Sequence, residues 1–392
     1  MESSLLTLLV VPVVLLSPLS PSSSCSYMST RSGMVLACTG LNTTADILDE
    51  KDNTAESVVR LEISDSVLDC VQFSHFCRFH HLEEIKVRKS VLKQGICSHQ
   101  KRHKKTTQCL KSLRSLDLSS NRISRLGSST ASLHSLERID LSHNNLHQLD
   151  IVFSTLTNLK YLNLSNNLLS EDLKPKTFKS LPTSIEELDL TGNLMSCSPS
   201  LSWLSPWSLS LSPSLLHQLG KVKCKVMNSH QMAPLLQVMQ YYTSEVNPSC
   251  PHKCLCYIYH FTPSSYTVLV NCSMQGLTTF PTVPLHTTIL DLSHNNLSDL
   301  AYSSLDIPTQ HYSDLAGLVL SHNLLTQIHT KLSKLRLYRM FKADHNQMSS
   351  IPYHFSLHLQ SYPSNKLTLG HNPWICTCNA EITSLVTNIL QL

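Results

Sequence analysis

Nine glycines among 392 residues leave little room for the close-approach loops on which phosphate and dinucleotide sites depend. The chain holds no H-E-x-x-H and no G-x-S-x-G, so zinc-protease chemistry and a serine nucleophile elbow have no basis in it. No enzymatic activity, catalytic residue or cofactor is expected. A formal charge of +4 is too small for a broad basic surface, which argues against nucleic acid as a partner. Long apolar runs are scarce as well. Leu201 to Leu216 is broken by Ser and Pro, and nothing reaches the roughly 20 residues that a membrane helix needs.

Against these absences stand an apolar N-terminus and fourteen cysteines. The run Leu5 to Leu16, the break at Ser17 and Pro18 and the small residues before Cys25 resemble a secretory signal over residues 1–24, although Glu2 stands where a basic residue is usual. An even set of cysteines in an exported chain is most economically read as disulfides. Cys25, Cys38, Cys70, Cys77, Cys97 and Cys109 form the first cluster, and Cys197 and Cys224 the second. Cys250, Cys254, Cys256 and Cys272 form the third, and Cys376 and Cys378 close the chain. Secretion to an extracellular location follows as the expectation.

A period emerges when the LSHN runs are aligned with their neighbours. LRSLDLSSN from Leu113, LERIDLSHN from Leu136, LKYLNLSNN from Leu159 and IEELDLTGN from Ile185 begin 23, 23 and 26 residues apart. A second series reads TTILDLSHN from Thr287, LAGLVLSHN from Leu315, YRMFKADHN from Tyr338 and SNKLTLGHN from Ser364. Two weaker units, VVRLEISDS from Val58 and LEEIKVRKS from Leu82, precede the first series and carry Ser66 and Ser90 in the Asn slot. Each unit is L-x-x-L-x-L-x-x-N, the leucine-rich-repeat pattern.

Alternating apolar residues make a short strand with one buried face, and the Asn side chain satisfies backbone groups where the chain turns away. No repeat can hide its own apolar face, so repeats must stack and the ends must be covered. The expected fold is therefore an α/β leucine-rich-repeat solenoid. It has two short arrays of parallel strands with a concave sheet, each bracketed by disulfide-rich caps.

CPHKCLC at Cys250 to Cys256, followed by Cys272, resembles an N-terminal leucine-rich-repeat cap, and NPWICTC at Asn372 to Cys378 resembles the start of a C-terminal one. The region of Cys197 and Cys224 resembles a C-terminal cap without its C-x-C doublet, its two cysteines pairing with each other. The order cap, repeats, cap, cap, repeats, cap resembles the membrane-proximal ectodomain of invertebrate Toll-type receptors, and also a secreted arthropod relative of that layout. The resemblance implies a leader at 1–24, an N-terminal cap-like region at 25–57 with Cys25 paired to Cys38, and a first array at 58–196. It further implies a degenerate C-terminal cap at 197–249, an N-terminal cap at 250–286, a second array at 287–371 and an incomplete C-terminal cap at 372–392. A Toll-type receptor would continue into a full cap, a membrane helix and a cytoplasmic domain, whereas this chain ends at Leu392 with two of the usual four cap cysteines. Cys376 and Cys378 are thus expected to be unpaired or to have lost their partners.

The concave face is the expected working surface. Its outward positions carry Glu62, Lys86, Asp117, Asp140, Asn163 and Asp189, and the neighbouring column Arg60, Glu84, Ser115, Arg138, Tyr161 and Glu187. Asp117, Arg138, Asp140, Tyr161, Glu187 and Asp189 are the candidate contacts for an extracellular protein ligand, although Asp is also a frequent filling of its slot. N-x-S/T acceptors at Asn42, Asn163, Asn271 and Asn296 are candidate glycosylation sites, the one at Asn163 facing the concave sheet. His294, His322, His345 and His371 precede the ladder Asn in all four later repeats, and His143 does so once earlier. Strands about 4.8 Å apart would align the four in a column. A strand ladder does not by itself supply tetrahedral geometry, so the reading is polar turn filling and no metal is expected.

Three classes remain: a secreted binding protein in a signalling or developmental context, a Toll-type ectodomain lacking its membrane part, and a matrix or adhesion protein. The basic run HQKRHKK, His99 to Lys105, is either a solvated loop or a polyanion contact. A polyanion contact loses heparin retention when Lys101, Arg102, Lys104 and Lys105 are replaced together, and unchanged retention on a heparin column leaves a solvated loop.

Overall fold

The computed structural model describes residues 23–49, 53–97, 110–126, 133–149, 153–170, 173–227, 229–305, 311–335, 337, 339–352, 355 and 366–375. Residues 1–22 of the leader, the basic run and Cys109, Cys376 and Cys378 lie outside these residues. Two compact units emerge, one running to Asn145 and including Thr155–Leu159, the other comprising Leu146–Ser154 and Lys160–Leu392.

The first unit opens with an antiparallel hairpin of β1 (Ser24–Thr30) and β2 (Gly33–Thr39), with Cys25 opposite Cys38 and the two bonded. β1 thus starts at Ser24, the last residue assigned to the leader. β2 then becomes the first member of a parallel set. It pairs with β3 (Val58–Ser64); past β4 (Val67–Leu68), β3 pairs with β5 (Glu84–Arg88). Past β6 (Val91–Leu92), β5 pairs with β7 (Ser115–Asp117), which pairs with β8 (Arg138–Asp140). β4 and β6 pair with each other on the next side of each coil. The alternating leucines do what their period requires: Leu61, Ile85, Leu116 and Ile139 point inward and are fully buried. A disulfide joins Cys70 to Cys97, and Cys77 is disulfide-bonded as well.

In the second unit β9 (Tyr161–Asn163) pairs in parallel with β10 (Glu187–Asp189). Between them runs α1 (Pro175–Lys179), with proline in its first turn, where a missing N–H costs nothing. The cap that follows holds α2 (Leu204–Ser208), α3 (Pro213–Gly220), a ribbon of β11 (Lys223–Lys225) with β12 (Met232–Pro234), and α4 (Leu235–Tyr241). Cys197 bonds to Cys224. Phe178 of α1 meets Trp203 and Trp207 at ring separations of 5.7 and 6.1 Å, which seals this end of the apolar interior. Gln218 of α3 accepts the Leu188 N–H of β10 at 2.6 Å and reaches the Glu186 carbonyl at 3.5 Å. An edge strand that would otherwise present bare backbone to other chains is thereby covered.

A second hairpin, β13 (Leu255–Thr262) with β14 (Ser265–Asn271), starts the next array under the bonds Cys250–Cys256 and Cys254–Cys272. β14 leads into β15 (Thr287–Asp291), β16 (Gly317–Val319), β17 (Met340–Lys342) and β18 (Leu367–Thr368), all parallel. Both arrays shift register by one residue at the same place, between Met34 and Val35 and between Val268 and Leu269, where the hairpin strand meets its first parallel neighbour. The two caps in the middle of the chain touch directly. Tyr266 donates to Glu245 at 2.6 Å, Gln231 hydrogen-bonds the Phe261 backbone, and the Tyr241 ring lies 5.7 Å from Phe261 and 5.5 Å from Tyr266.

The turn after each strand is fixed by its asparagine. Asn323 shares its Nδ2 hydrogens among the carbonyls of Leu292, Leu320 and Ser321 at 2.9 to 3.3 Å, and its Oδ1 accepts the Leu297 N–H at 3.0 Å. Asn144 and Asn346 do the same in their own coils. Ser66 and Ser90 continue this ladder with fewer bonds: Ser66 Oγ accepts the Leu41 N–H, Ser90 Oγ accepts the Ser66 N–H, and Asn121 Oδ1 accepts the Ser90 N–H. Just before the ladder residue the chain takes a left-handed conformation in every coil; Gly192, at φ 72°, fills that slot where an added Cβ would stand 2.3 Å from Asn166 Oδ1. Asn323→Ala leaves a buried N–H and buried carbonyls unpaired at once. It is expected to cost about 3 kcal/mol, read as a lowered denaturant midpoint, whereas exposed Asn296→Ala changes it by about 0.5 kcal/mol or less.

Candidate functional site

In the first unit the outward side chains stand in two columns set by strand register. Arg60, Glu84, Ser115 and Arg138 are neighbours along one, and Glu62, Lys86, Asp117 and Asp140 along the other. The first four charges interlock. Arg60 pairs with Glu84, and Lys86 Nζ lies 3.2 Å from Glu84 and 3.7 Å from Glu62. Partly exposed ion pairs of this kind contribute little to stability.

The aspartates have a second duty. Asp117 Oδ1 accepts the Ser119 N–H at 3.0 Å and its hydroxyl at 2.7 Å; Asp140 does the same with Ser142, and Asp189 with Thr191. Each carboxylate thus closes the turn that ends its own strand. Asp117 and Asp140 are 5% and 9% exposed, so a ligand reaches little of them. Arg138 is exposed beside them. In the second unit Tyr161 pairs in register with exposed Glu187, and Asn163 with Asp189. Asn163 and Asn271 act in the aspartate slot, each accepting the N–H two residues on at 3.0 Å, while Asn42 and Asn296 are exposed.

Along the second array His294, His322, His345 and His371 are exposed and stacked face to face, with ring centroids 4.1, 4.1 and 4.0 Å apart and planes within 11 to 17°. All four occupy the left-handed slot at φ 55 or 56°. Histidine is one of the residues that tolerates this conformation, yet Asp65, Lys89, Ser120, Asn166 and Met274 fill the same slot elsewhere. The turn therefore accepts histidine without requiring it.

The Ser that precedes His294 and His322 gives way to Asp344 before His345. Asp344 Oδ1 accepts the hydroxyls of Ser321 and Thr368 at 2.7 and 2.6 Å, and Oδ2 lies 3.1 Å from His345 Nδ1. Burial opposes ionisation of Asp344, but the bonds from Thr368, Ser321 and His345 prevail and hold its carboxyl down at about 2. His322 is held below the usual imidazole value, by desolvation within the stack first and then by the neighbouring His294 and His345. One ligand atom from each of His322, Asp344 and His345 lies within 4.8 Å of the others, and this is the sole such group of three among the described residues. Reading the repeats for histidine alone passes over Asp344; the signal for it is ADHN standing where the other units read LSHN or LGHN.

The two coiled arrays, their ladder and the disulfide-bonded hairpins that start them make this chain a leucine-rich-repeat solenoid. The family model described as Leucine rich repeat matches residues 111–169 and 150–195, and a second of that description matches 286–303. Among curated proteins, Tsukushi of Rattus norvegicus is 39% identical over 107 residues, 27% of this chain and 29% of that protein. Tsukushi of Homo sapiens is 39% identical over 107 residues, 26% of this chain and 30% of that one. The chain thus spans less than a third of the length of the curated relatives it matches. Among solved structures, the Toll–Spatzle complex, a molecular hub in Drosophila development and innate immunity, is similar over 85% of this chain and 64% of that one, at 16% identity and a TM-score of 0.31. The LRIM1 leucine-rich repeat domain is similar over 94% and 83%, at 13% identity and a TM-score of 0.32.

The Asp117 environment sets a pH dependence. Burial disfavours its charge, yet the Arg88 and Ser119 hydrogen bonds and the Arg88 charge hold its carboxyl below the ordinary 3.8. A group depressed on folding stabilises the folded state above its unfolded value, and that contribution is lost as pH falls through the folded one. Asp117→Asn keeps the local acceptor, as Asn163 does, but loses the ion pair. It is expected to narrow the difference in denaturant midpoint between pH 6 and pH 2.5.

Proposed function

We propose that the chain is a secreted protein that binds another extracellular protein through its repeat surface, in a signalling or developmental setting, and that it has no enzymatic activity. The observation that carries this reading is the strand face itself. Register sets charged and aromatic side chains in ordered outward columns, while the leucines, ladder and caps serve the fold. Side chains held this way recognise an extended protein surface rather than a small substrate. Asp117, Asp140 and Asp189 close their own turns, and the outward column at Arg138 in the first unit, or that at Tyr161 and Glu187 in the second, carries the recognition. The disulfide-bonded caps suit an oxidising compartment.

Surface plasmon resonance of the full chain against a panel of extracellular proteins tests this. Arg138→Glu or Glu187→Arg is expected to weaken the partner at least tenfold, and Lys176→Glu, on α1, to leave it unchanged. A partner held equally by both face variants sinks the proposal. A chain that resists mild salt extraction from tissue and never enters the medium is a matrix protein instead.

A further inference from the structure

We propose that His322, Asp344 and His345 form a surface site for a divalent transition-metal ion of the zinc type. This goes beyond the protein-binding role and does not depend on it.

His322 N–H donates to the Asp344 carbonyl at 2.9 Å and His345 N–H to the Gly370 carbonyl at 3.0 Å, so the ladder fixes both ligand positions. Asp344 is held from behind by the Ser321 and Thr368 hydroxyls, both on Oδ1, which leaves Oδ2 turned toward the imidazole column. A ligand carboxylate braced by hydrogen bonds on its other oxygen is the support that metal sites require. Ligand atoms already within 4.8 Å of one another need close by at most about 1.4 Å, since tetrahedral zinc with bonds of about 2.1 Å places its ligands roughly 3.4 Å apart. Rotation of exposed imidazoles supplies that closure. In the metal-bound form the ion takes the place of the proton between His345 Nδ1 and Asp344 Oδ2, and His322 completes the set. The face-to-face rings of His322 and His345 tilt out of parallel to aim both lone pairs at one ion, with His294 and His371 stacked on either side at 4.1 Å from His322 and 4.0 Å from His345.

Two imidazoles and one carboxylate select zinc or copper over calcium and magnesium, which want oxygen throughout. Three protein ligands leave the remaining position to water or to a group brought by a partner. A turn-filling role accounts for neither the run of four histidines in a slot that takes Lys, Ser and Met elsewhere nor the Asp placed against one of them.

The chelator-treated full chain is titrated with zinc in competition with a chromophoric chelator, beside the double variant His322→Asn with His345→Asn. Asn166 already occupies the same left-handed slot, so asparagine removes the ligands without straining the turn. Asp344→Asn is a second variant and His143→Asn, at the left-handed slot of a first-series repeat, the control. One zinc per chain at micromolar concentration, weakened at least tenfold in the double variant and in Asp344→Asn and unchanged in His143→Asn, is the expected result. Cobalt should give a visible band that the double variant lacks. No zinc binding at micromolar concentration, equal binding by the double variant, or a loss shared by His143→Asn overturns the site.

Discussion

A buried ladder side chain in the turn after each repeat strand, a carboxamide in most coils and a hydroxyl at Ser66 and Ser90, decides the geometry of everything else in this protein. It bridges its own turn and the coil before it, so each repeat is held at a set distance and rotation from its neighbour. Leucine burial supplies the larger driving force, at roughly 1.5 to 3 kcal/mol for each side chain, but it is non-directional and would tolerate slippage. The asparagine hydrogen bonds are directional, and removing one leaves several buried groups unpaired. Register follows from them, and from register follow the outward columns and the stacked imidazoles.

A stack of identical coils must still begin and end. Both arrays begin alike, with a hairpin whose second strand turns from antiparallel to parallel pairing across a one-residue shift. The hairpin donates a strand that carries a disulfide instead of a repeat. The first series ends differently, with Gln218 lending its carboxamide to the bare edge of β10 and two tryptophans closing the interior over Phe178. The segment SLSWLSPW, which lies in the region that resembles a C-terminal cap without its C-x-C doublet, thus closes the interior.

The solenoid was legible because its signal is local and repeated: the leucine period, the ladder asparagine and the two serines that replace it can all be read within nine residues. The side chains that give the surface its character were less so. The aspartates at 117, 140 and 189 read as outward ligands from strand alternation, yet each carboxylate bonds the residue two positions on, a pull that alternation does not register. Four histidines at one repeat position foretell a column. Whether a carboxylate meets them depends on Ser321 and Thr368, which hold Asp344 from the flanking coils. Gln218 meets β10 across thirty residues of sequence, and nothing near either announces it.

The contact between the two inner caps has a mechanical meaning. Cys250 follows Val246 through a single turn, Asn247–Ser249, and the Tyr241, Phe261 and Tyr266 rings interlock around it. With no slack chain and a carboxylate bond across the seam, this joint behaves as a weld rather than a hinge. Between the helices of the cap at 197–249 and Cys250 lies only Asn247–Ser249, and the Tyr241, Phe261 and Tyr266 contact spans it, so no length of free chain separates the two caps.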